Sequence, residues 1–462
     1  MSENKNDTNL EQPDTIVAPA TSREPGAIAI VRVSGASAAS VLASCFTPRG
    51  RLAPLARPRR LIHGMAVSAS GEEIDDCLAV WMPAPNSFTG EDVAEIHCHG
   101  GPAITDAVMS AAMEAGARPA QPGEFTRRAF LNGKMDLAQA EAVADLVVAR
   151  TDLARRLALR QLRGGLSRRI EAIRETVIDV GAEIEAALDF PEEDIISESS
   201  DRLAAHLRQA HQDLQAMLDG FNKARLVREG ARVVLAGKPN AGKSSLFNTL
   251  VGQERAIVTP HPGTTRDTIE STVDLDGLPV TYIDTAGVRD ARDEIEQLGI
   301  LRTNEAMESA DLVLHVVDST QEPHDSSASM ALTAGLPADR ILTVWNKVDL
   351  TPPAASTVLN EDFAISAKTG SGISALEAAI RNSLIGTAQA EDLALAGERH
   401  AECVREATEA LLRGETALHD DLGGEFVMID IRTAILNLGE ILGIQTGEEV
   451  LDRVFSRFCL GK

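Results

Sequence analysis

Residues 232–245 read RVVLAGKPNAGKSS, and this stretch decides the fold of the middle of the chain. The apolar, β-branched run at its start predicts a strand. The turn that follows fits G-x-x-x-x-G-K-S from Gly237 to Ser244, and a helix is expected to open at its end. In such a turn successive backbone N–H groups converge on a phosphate. Lys243 would meet the β- and γ-phosphate oxygens and Ser244 would ligate Mg2+. A strand, a phosphate-binding turn and a helix in this order open an α/β sheet whose ligands bind at the carboxyl ends of its strands.

Working outward, further strand-like runs follow at VTYIDTAG (280–287), DLVLHVVD (311–318), ILTVWNK (341–347) and DFAIS (362–366). Their alternation with helical segments predicts a parallel sheet covered by helices over residues 230–383. Each motif comes in the expected order. PGTTRD (262–267) supplies a switch threonine, with Thr265 as a second Mg2+ ligand. In DTAG (284–287), Asp284 can hold Mg2+ through water and Gly287 can offer its N–H to a γ-phosphate. In NKVD (346–349), Asp349 can accept both N1–H and N2–H of guanine, while Asn346 supports the loop. Adenine lacks that donor pair, so the set selects GTP over ATP. SAK (366–368) offers the Ala367 N–H to guanine O6. After Gly287 stands Val288, where Ras-type enzymes carry the glutamine that orients the attacking water. Another group must do that work.

The flanks have a different texture. Between residues 15 and 130, GAIAIVRVSG (26–35), IDDCLAVWMP (74–83) and VAEIHCHGG (93–101) read as strands, and ITDAVMSAAMEAGA (104–117) as a helix, giving a small α+β domain. From Met135 the chain is rich in Ala, Leu, Arg and Glu at helical spacing, is interrupted at Pro191, and resumes over 201–224. Helical texture returns after residue 384. The expected organisation is therefore a multidomain α/β protein. An N-terminal α+β domain (15–130) precedes a helical bundle in two parts (131–229 and 384–462), with the P-loop domain (230–383) inserted between them.

Composition narrows the function. A chain of 462 residues with 44% hydrophobic content carries folded domains, about three of them. Aromatics are 3%, with one Tyr, which argues against an RNA surface of stacked rings. The net charge of −25 repels phosphate backbones overall, so a local basic patch or a basic partner is needed to bring RNA close. The five cysteines form no CxxC pair or disulfide framework, and neither a leader signal nor an apolar run of about 18 residues is evident. A soluble, cytoplasmic protein is expected. The run His97-Cys98-His99 does not read as a metal site, because alternation on a strand points Cys98 away from both histidines.

With PNSFTGEDVAEIHCHGG (85–101), PGEFTRRAFLNGKMDLAQAEAVADL (122–146), KPNAGKSSLFN, GTTRD, DTAGVR and the terminal FCLGK, the chain resembles the MnmE (TrmE) family of tRNA modification GTPases from about Thr15 to Lys462. The resemblance implies a folate-binding-like N-domain, a helical domain and an inserted Ras-like G domain. It implies hydrolysis of GTP to drive modification at C5 of the wobble uridine, U34, with a carboxymethylaminomethyl or aminomethyl group. The one-carbon unit comes from a tetrahydrofolate. The family's partner is a flavoprotein, MnmG or GidA, which carries FAD, forms a heterotetramer with the homodimer and makes most of the tRNA contact.

The resemblance also assigns residues. It places K+ beside the phosphates, held by Asn240, Thr259, His261 and Thr264, the last three through backbone carbonyls; on sequence alone a plain turn residue is the other reading of Asn240. Oxygen ligands suit such a hard cation. Glu296 is the residue acting on the attacking water, a choice the sequence alone does not make among Asp293, Glu294 and Glu296. Arg289 and Cys459 join it as catalytic candidates, though Cys459 reads equally as a small buried hydrophobe. The GTP-binding set then comprises Asn240, Ala241, Gly242, Lys243, Ser244 and Ser245, followed by Thr259, Pro260, His261, Pro262, Gly263, Thr264 and Thr265. Asp284, Thr285, Ala286 and Gly287 follow, then Asn346, Lys347, Val348 and Asp349, and last Ser366, Ala367 and Lys368. A site for 5-formyl-tetrahydrofolate or a related folate is assigned to Arg32, Glu95, Lys134 and Lys462. Two other readings stand beside this one. A GTP-timed ribosome-assembly factor would be expected to append a KH-type domain, and no GXXG-centred basic segment follows residue 383. A folate-dependent aminomethyltransferase with a regulatory G domain is the other.

Overall fold

The computed structural model describes residues 14–189, 195–252, 269–285, 306–320, 335–351, 362–388, 393, 397–420 and 422–462. The chain divides into two compact units, one running to Ala144 and taking in Gly439–Lys462, the other Asp145–Leu438.

The first unit is built on a seven-stranded sheet. Its strands are β1 (Ile16–Pro19), β2 (Gly26–Ser34), β3 (Phe46–Pro48), β4 (Ile62–Val67), β5 (Glu73–Met82), β6 (Val93–Gly100) and β7 (Arg118–Pro119), in the order β3-β4-β5-β6-β2-β1-β7. The strands expected at 26–35, 74–83 and 93–101 are β2, β5 and β6. The remaining four, of two to six residues, escape pattern reading because so short a run carries too little alternation to stand out. Alternation on the long strands sorts side chains between two faces. Ala29, Val31 and Val33 of β2 and Ala94, Ile96 and Cys98 of β6 are buried in one apolar cluster with Val41 and Leu42 of helix Ala38–Cys45 and Val108 and Ala112 of helix Pro102–Glu114. Each fully buried aliphatic side chain there contributes about 1.5–3 kcal/mol. The opposite face carries Arg32 and Glu95.

The end of the chain belongs to this unit. Helix Glu448–Phe455 packs on helix Glu124–Leu131, where Arg127 pairs with Asp452 at 3.0 Å. The Phe455 and Phe458 rings lie 5.5 Å apart. At Gly461, φ is +86°, and a Cβ there would stand 2.1 Å from the Pro19 carbonyl oxygen. Only glycine lets the tail approach β1 so closely.

The second unit holds a six-stranded sheet of β8 (Ala231–Ala236), β9 (Ile269–Leu275), β10 (Leu278–Asp284), β11 (Leu312–Asp318), β12 (Ile341–Asn346) and β13 (Phe363–Ala364), ordered β13-β12-β11-β8-β10-β9. Five strands are parallel, as the alternation predicts. The sixth, β9, falls outside that expectation and runs antiparallel to β10 at the edge through a tight turn at Asp276-Gly277. An antiparallel edge on a parallel sheet is a common variant, since a hairpin needs no crossover helix. Val233, Leu235, Val280, Leu314 and Val344 fill one core together with Leu246 and Phe247 of helix Lys243–Val251 and Leu376 and Ile380 of helix Ile373–Ile385. Helix Asp152–Leu162 contributes Leu153, Ala154 and Leu157 to the same core.

The helical part of this unit pairs segments from both sides of the insertion. Helix Ile195–Asp219 packs against helices Gly165–Asp189 and Glu398–His419. Ile170, Ile173, Val177, Val180 and Ile184 recur at helical spacing and are buried. Pro191 and the segment 190–194 lie outside the described residues. No helix among the described residues is long and apolar enough to cross a membrane.

Candidate functional site

β8 is central in its sheet, and the chain leaves its carboxyl end into the glycine-rich turn. Gly237 and Gly242 have φ of +150° and +91°, and Asn240, a non-glycine, has φ of +64°. A Cβ on Gly242 would fall 2.3 Å from the Asn346 Nδ2, so the turn and the guanine-side loop meet at that atom. Lys243 is buried, and its Nζ donates to the carbonyls of Gly237 and Lys238, both at 2.9 Å. The ammonium thereby spans the turn whose N–H groups the sequence motif assigns to a phosphate. Ser244 Oγ donates to Asp284 Oδ2 at 2.7 Å, and Asp284, at the end of β10, is 1% exposed. A hydroxyl and a buried carboxylate in contact are hard oxygen donors of the kind Mg2+ takes. Thr285 Oγ1 donates to the Leu235 carbonyl at 2.8 Å, tying β10's end to β8.

At the NKVD loop, β12 ends in Asn346, which is 2% exposed and whose side-chain amide makes three bonds. Its Nδ2 donates to the Ala241 carbonyl at 3.0 Å, and its Oδ1 accepts from the N–H groups of Lys347 at 2.8 Å and Ala367 at 3.0 Å. One amide therefore joins the phosphate-binding turn, the NKVD loop and the SAK loop. The Ala367 N–H, assigned to guanine O6 from sequence, donates here to Asn346. Asp349 is exposed, and its Oδ1 accepts from the buried Ser366 Oγ at 2.7 Å, which fixes the carboxylate's orientation. Val348 N–H donates to the Ile365 carbonyl at 3.2 Å. Ser245 lies in the first turn of helix Lys243–Val251, where its carbonyl accepts from Thr249 Oγ1; Lys368 follows the SAK alanine.

Lys347 draws in a residue that none of the sequence motifs contains. Its φ is +67°, and its Nζ donates to the Asn240 carbonyl and to Asp318 Oδ2, both at 2.6 Å. Asp318 closes β11 and is 6% exposed, with its Oδ1 accepting from the N–H and Oγ1 of Thr320. Burial works against its charge, yet the Lys347 and Thr320 bonds outweigh it and hold the carboxyl below its ordinary range. An acid at the end of the strand next to β12 was the available signal.

Thr259, Pro260, His261, Pro262, Gly263, Thr264, Thr265, Ala286, Gly287, Arg289 and Glu296 lie outside the described residues, as does Val288. Of the four K+ candidates, Asn240 alone is described.

In the first unit Arg32 and Glu95 are register partners across β2 and β6, and Arg32 Nε donates to Glu95 Oε1 at 2.8 Å. His97 Nε2 bonds Glu95 Oε2 at 3.1 Å. Burial of Glu95 favours its neutral form, but the His97 bond and the Arg32 guanidinium prevail and its carboxyl titrates below the usual value. The guanidinium stands 5.8 Å from the ring centroids of both Phe88 and Phe125, a cation between two aromatic faces. Neither ring stands out in the sequence, although both lie in the family-like segments 85–101 and 122–146. Lys134 Nζ donates to the Pro85 carbonyl at 3.0 Å, on the loop that carries Phe88. Gly461 lies against Pro19, the partner of Val31 on β2, and brings the adjacent Lys462 to this part of the sheet. A paired carboxylate, a guanidinium between rings and two further cations are groups able to hold a flat heterocycle with an anionic tail.

Of the cysteines, Cys45, Cys77, Cys98 and Cys403 are buried and Cys459 is exposed, so Cys459 is no buried hydrophobe. Burial pushes the Cys77 thiol up to about 12 and the Cys45 thiol to about 11. Cys98 points into the core while His97 and His99 lie on the other face, bonded to Glu95 and Asp75.

Comparison with known proteins gives concordant matches. The profile of the MnmE helical domain matches residues 137–459, and that of the GTP-binding protein TrmE N-terminus matches residues 15–134. The tRNA modification GTPase MnmE of Symbiobacterium thermophilum is 45% identical over 458 residues, covering 97% of this chain and 99% of that protein. Those of Akkermansia muciniphila and Pseudomonas aeruginosa are 45% and 40% identical, each with 97% of this chain and 99% of the relative covered.

Proposed function

The chain belongs to the MnmE family of tRNA modification GTPases, and we propose that it hydrolyses GTP to drive modification of the wobble uridine of certain tRNAs. The observation that carries the reading is the Asn346 amide, which holds the phosphate-binding turn and both guanine-side loops in one hydrogen-bonded unit. With Asp349 oriented by Ser366, that unit presents an acceptor pair for the guanine N1–H and N2–H edge. Lys243 meets the β- and γ-phosphates. Ser244, with Thr265, would hold Mg2+, which supplies charge neutralisation at the phosphate oxygens.

In the finer reading, Glu296 orients the attacking water in place of the glutamine that Val288 does not supply, and Arg289 assists it. Asn240, Thr259, His261 and Thr264 would hold K+, which would supply the positive charge that an arginine finger supplies elsewhere. Replacement of K+ by Na+ should slow turnover sharply; indifference to the cation would remove this assignment. Arg32, Glu95, Lys134 and Lys462 bind a tetrahydrofolate that donates the one-carbon unit, with Cys459 exposed on the same terminal segment. The partner is an FAD-carrying flavoprotein of the MnmG type, joined to a homodimer of this chain in the cytoplasm. Ile28, 64% exposed, and Leu78, 37% exposed, share the Arg32 face of the first sheet and support pairing of N-terminal domains there. Mass analysis of the wobble nucleoside in cells lacking this protein tests the whole: loss of the C5 group is expected, and an unchanged nucleoside would reject the reading.

A further inference from the structure

One helical segment departs from the acidic balance of the chain as a whole. Residues 150–169 hold seven arginines, no lysine and a single carboxylate, Asp152, inside a chain of net charge −25. The fold gathers them. Helix Asp152–Leu162, capped by Thr151 Oγ1 accepting the Ala154 N–H, buries Leu153, Ala154, Leu157, Ala158 and Gln161. Helical spacing therefore puts Arg155, Arg156 and Arg160 on the opposite face, with Arg163 at its end. Gly164, at φ of +75°, turns the chain into helix Gly165–Asp189, whose first turns carry the exposed Arg168 and Arg169. Arg168 Nη1 donates to the Arg163 carbonyl at 2.7 Å, which ties the two arms of the turn. Asp152 is engaged by both Arg155 and Arg156 at 2.6 Å, and so offsets only one charge of the seven.

We propose that this arginine-lined helix–turn–helix, residues 150–169, is a docking surface for the sugar-phosphate backbone of tRNA. The inference rests on the proposed role in tRNA modification. Three features favour a phosphate backbone over other anions. The cations are all arginine, whose planar fork meets phosphate oxygens in pairs. No aromatic residue stands in the segment, so it offers charge without the stacking platforms that read bases. The acidic balance of the chain as a whole repels a polyanion, so its approach is limited to local basic surfaces such as this one.

The test uses the full chain and a fluorescently labelled, transcribed tRNA at about 50 mM salt, with titrations repeated up to about 200 mM. The variant R155Q/R156Q/R163Q/R168Q/R169Q should bind the tRNA at least about tenfold more weakly. Its log–log salt dependence should be shallower by about four, at roughly 0.7–0.9 for each of the five phosphates that are no longer neutralised. RNA-free GTP turnover should stay as in the unaltered chain, because none of these residues belongs to the nucleotide site. The milder R168Q/R169Q, on a solvent-facing turn, should show a proportionally smaller change and carries the test if the fivefold variant does not fold. Unchanged affinity and slope in the variants overturn the proposal, as does an unaltered chain that fails to bind tRNA at low salt. Loss of binding to the flavoprotein with tRNA affinity intact overturns it in favour of an acidic protein surface. In each case the wobble-nucleoside analysis judges the family reading separately.

Discussion

In the G-domain sheet the functional side chains leave the strands end-on; in the N-terminal sheet they leave sideways. Asp284, Asn346 and Asp318 each terminate a parallel strand, and the loops beyond them supply Asp349, Ser366 and the phosphate-binding turn. Arg32 and Glu95 instead face each other in the middle of two antiparallel strands, and their neighbours Phe88 and Phe125 come from separate segments. The first design concentrates a site in short, contiguous motifs, because each strand end delivers several consecutive residues to one rim. The second spreads a site over alternate residues of strands that are distant in sequence.

The largest expected effect lies at the rim. Asp349→Asn replaces an acceptor pair by an acceptor and a donor, which faces the guanine N2 amine with another donor. Two charge-assisted bonds are lost or weakened, so GTP affinity should fall by about two to four orders of magnitude. Xanthosine triphosphate, with an oxygen in place of that amine, should bind the variant better than GTP does. Competition titration with the two nucleotides is the measurement, and retention of guanine preference would break the contrast between a rim that reads the base end-on and a sheet that works sideways.

A smaller effect is expected one step back from the rim. Asp318 holds the Lys347 ammonium, which in turn holds the Asn240 carbonyl. Asp318→Asn should weaken guanine nucleotide binding by about tenfold, roughly 1.4 kcal/mol, with turnover at saturation changed far less. Asp318→Ala and Lys347→Ala should be strongly non-additive in a double-mutant cycle, since each removes the same bond. Additive losses would show that Asp318 acts on the fold at large.

These two sites also explain what can be read from sequence. The proposed guanine rim is legible residue by residue, since it is assigned from the spacing within GKPNAGKS, NKVD and SAK. Asp318 is not, because a lone acid after a strand has no spacing to mark it. Strands of the N-terminal sheet as long as β2, β5 and β6 are legible from alternation, and β1, β3, β4 and β7 are too short. Arg32 and Glu95 come only through family resemblance. Their pairing depends on the register of β2 on β6, and one residue of slip would put them on opposite faces. The antiparallel β9 escapes for a related reason: IESTVDL is an edge strand whose pairing comes from the following hairpin.

The smallest effect on GTP handling tests the sideways site. Glu95 has its carboxyl held low by His97 and Arg32 against the pull of burial. A carboxylate with a folded-state pKa below its unfolded value adds stability that is fully present above about pH 4.5 and is lost as pH falls through the folded value. Glu95→Gln keeps the shape and removes that charge. The unaltered chain should therefore exceed the variant in stability by about 1.5 kcal/mol near neutrality, the low end of the scale for one hydrogen bond to a charged group. The gap should close as the pH is lowered below about 4.5. Urea unfolding of both proteins across that range measures it, following the N-terminal transition. Calorimetric titration with 5-formyl-tetrahydrofolate should show weakened binding in the variant, while GTP turnover without RNA stays unchanged. A gap that persists into acid would mean that the difference does not come from the Glu95 charge, and the carboxylate would then have no claim to the ligand.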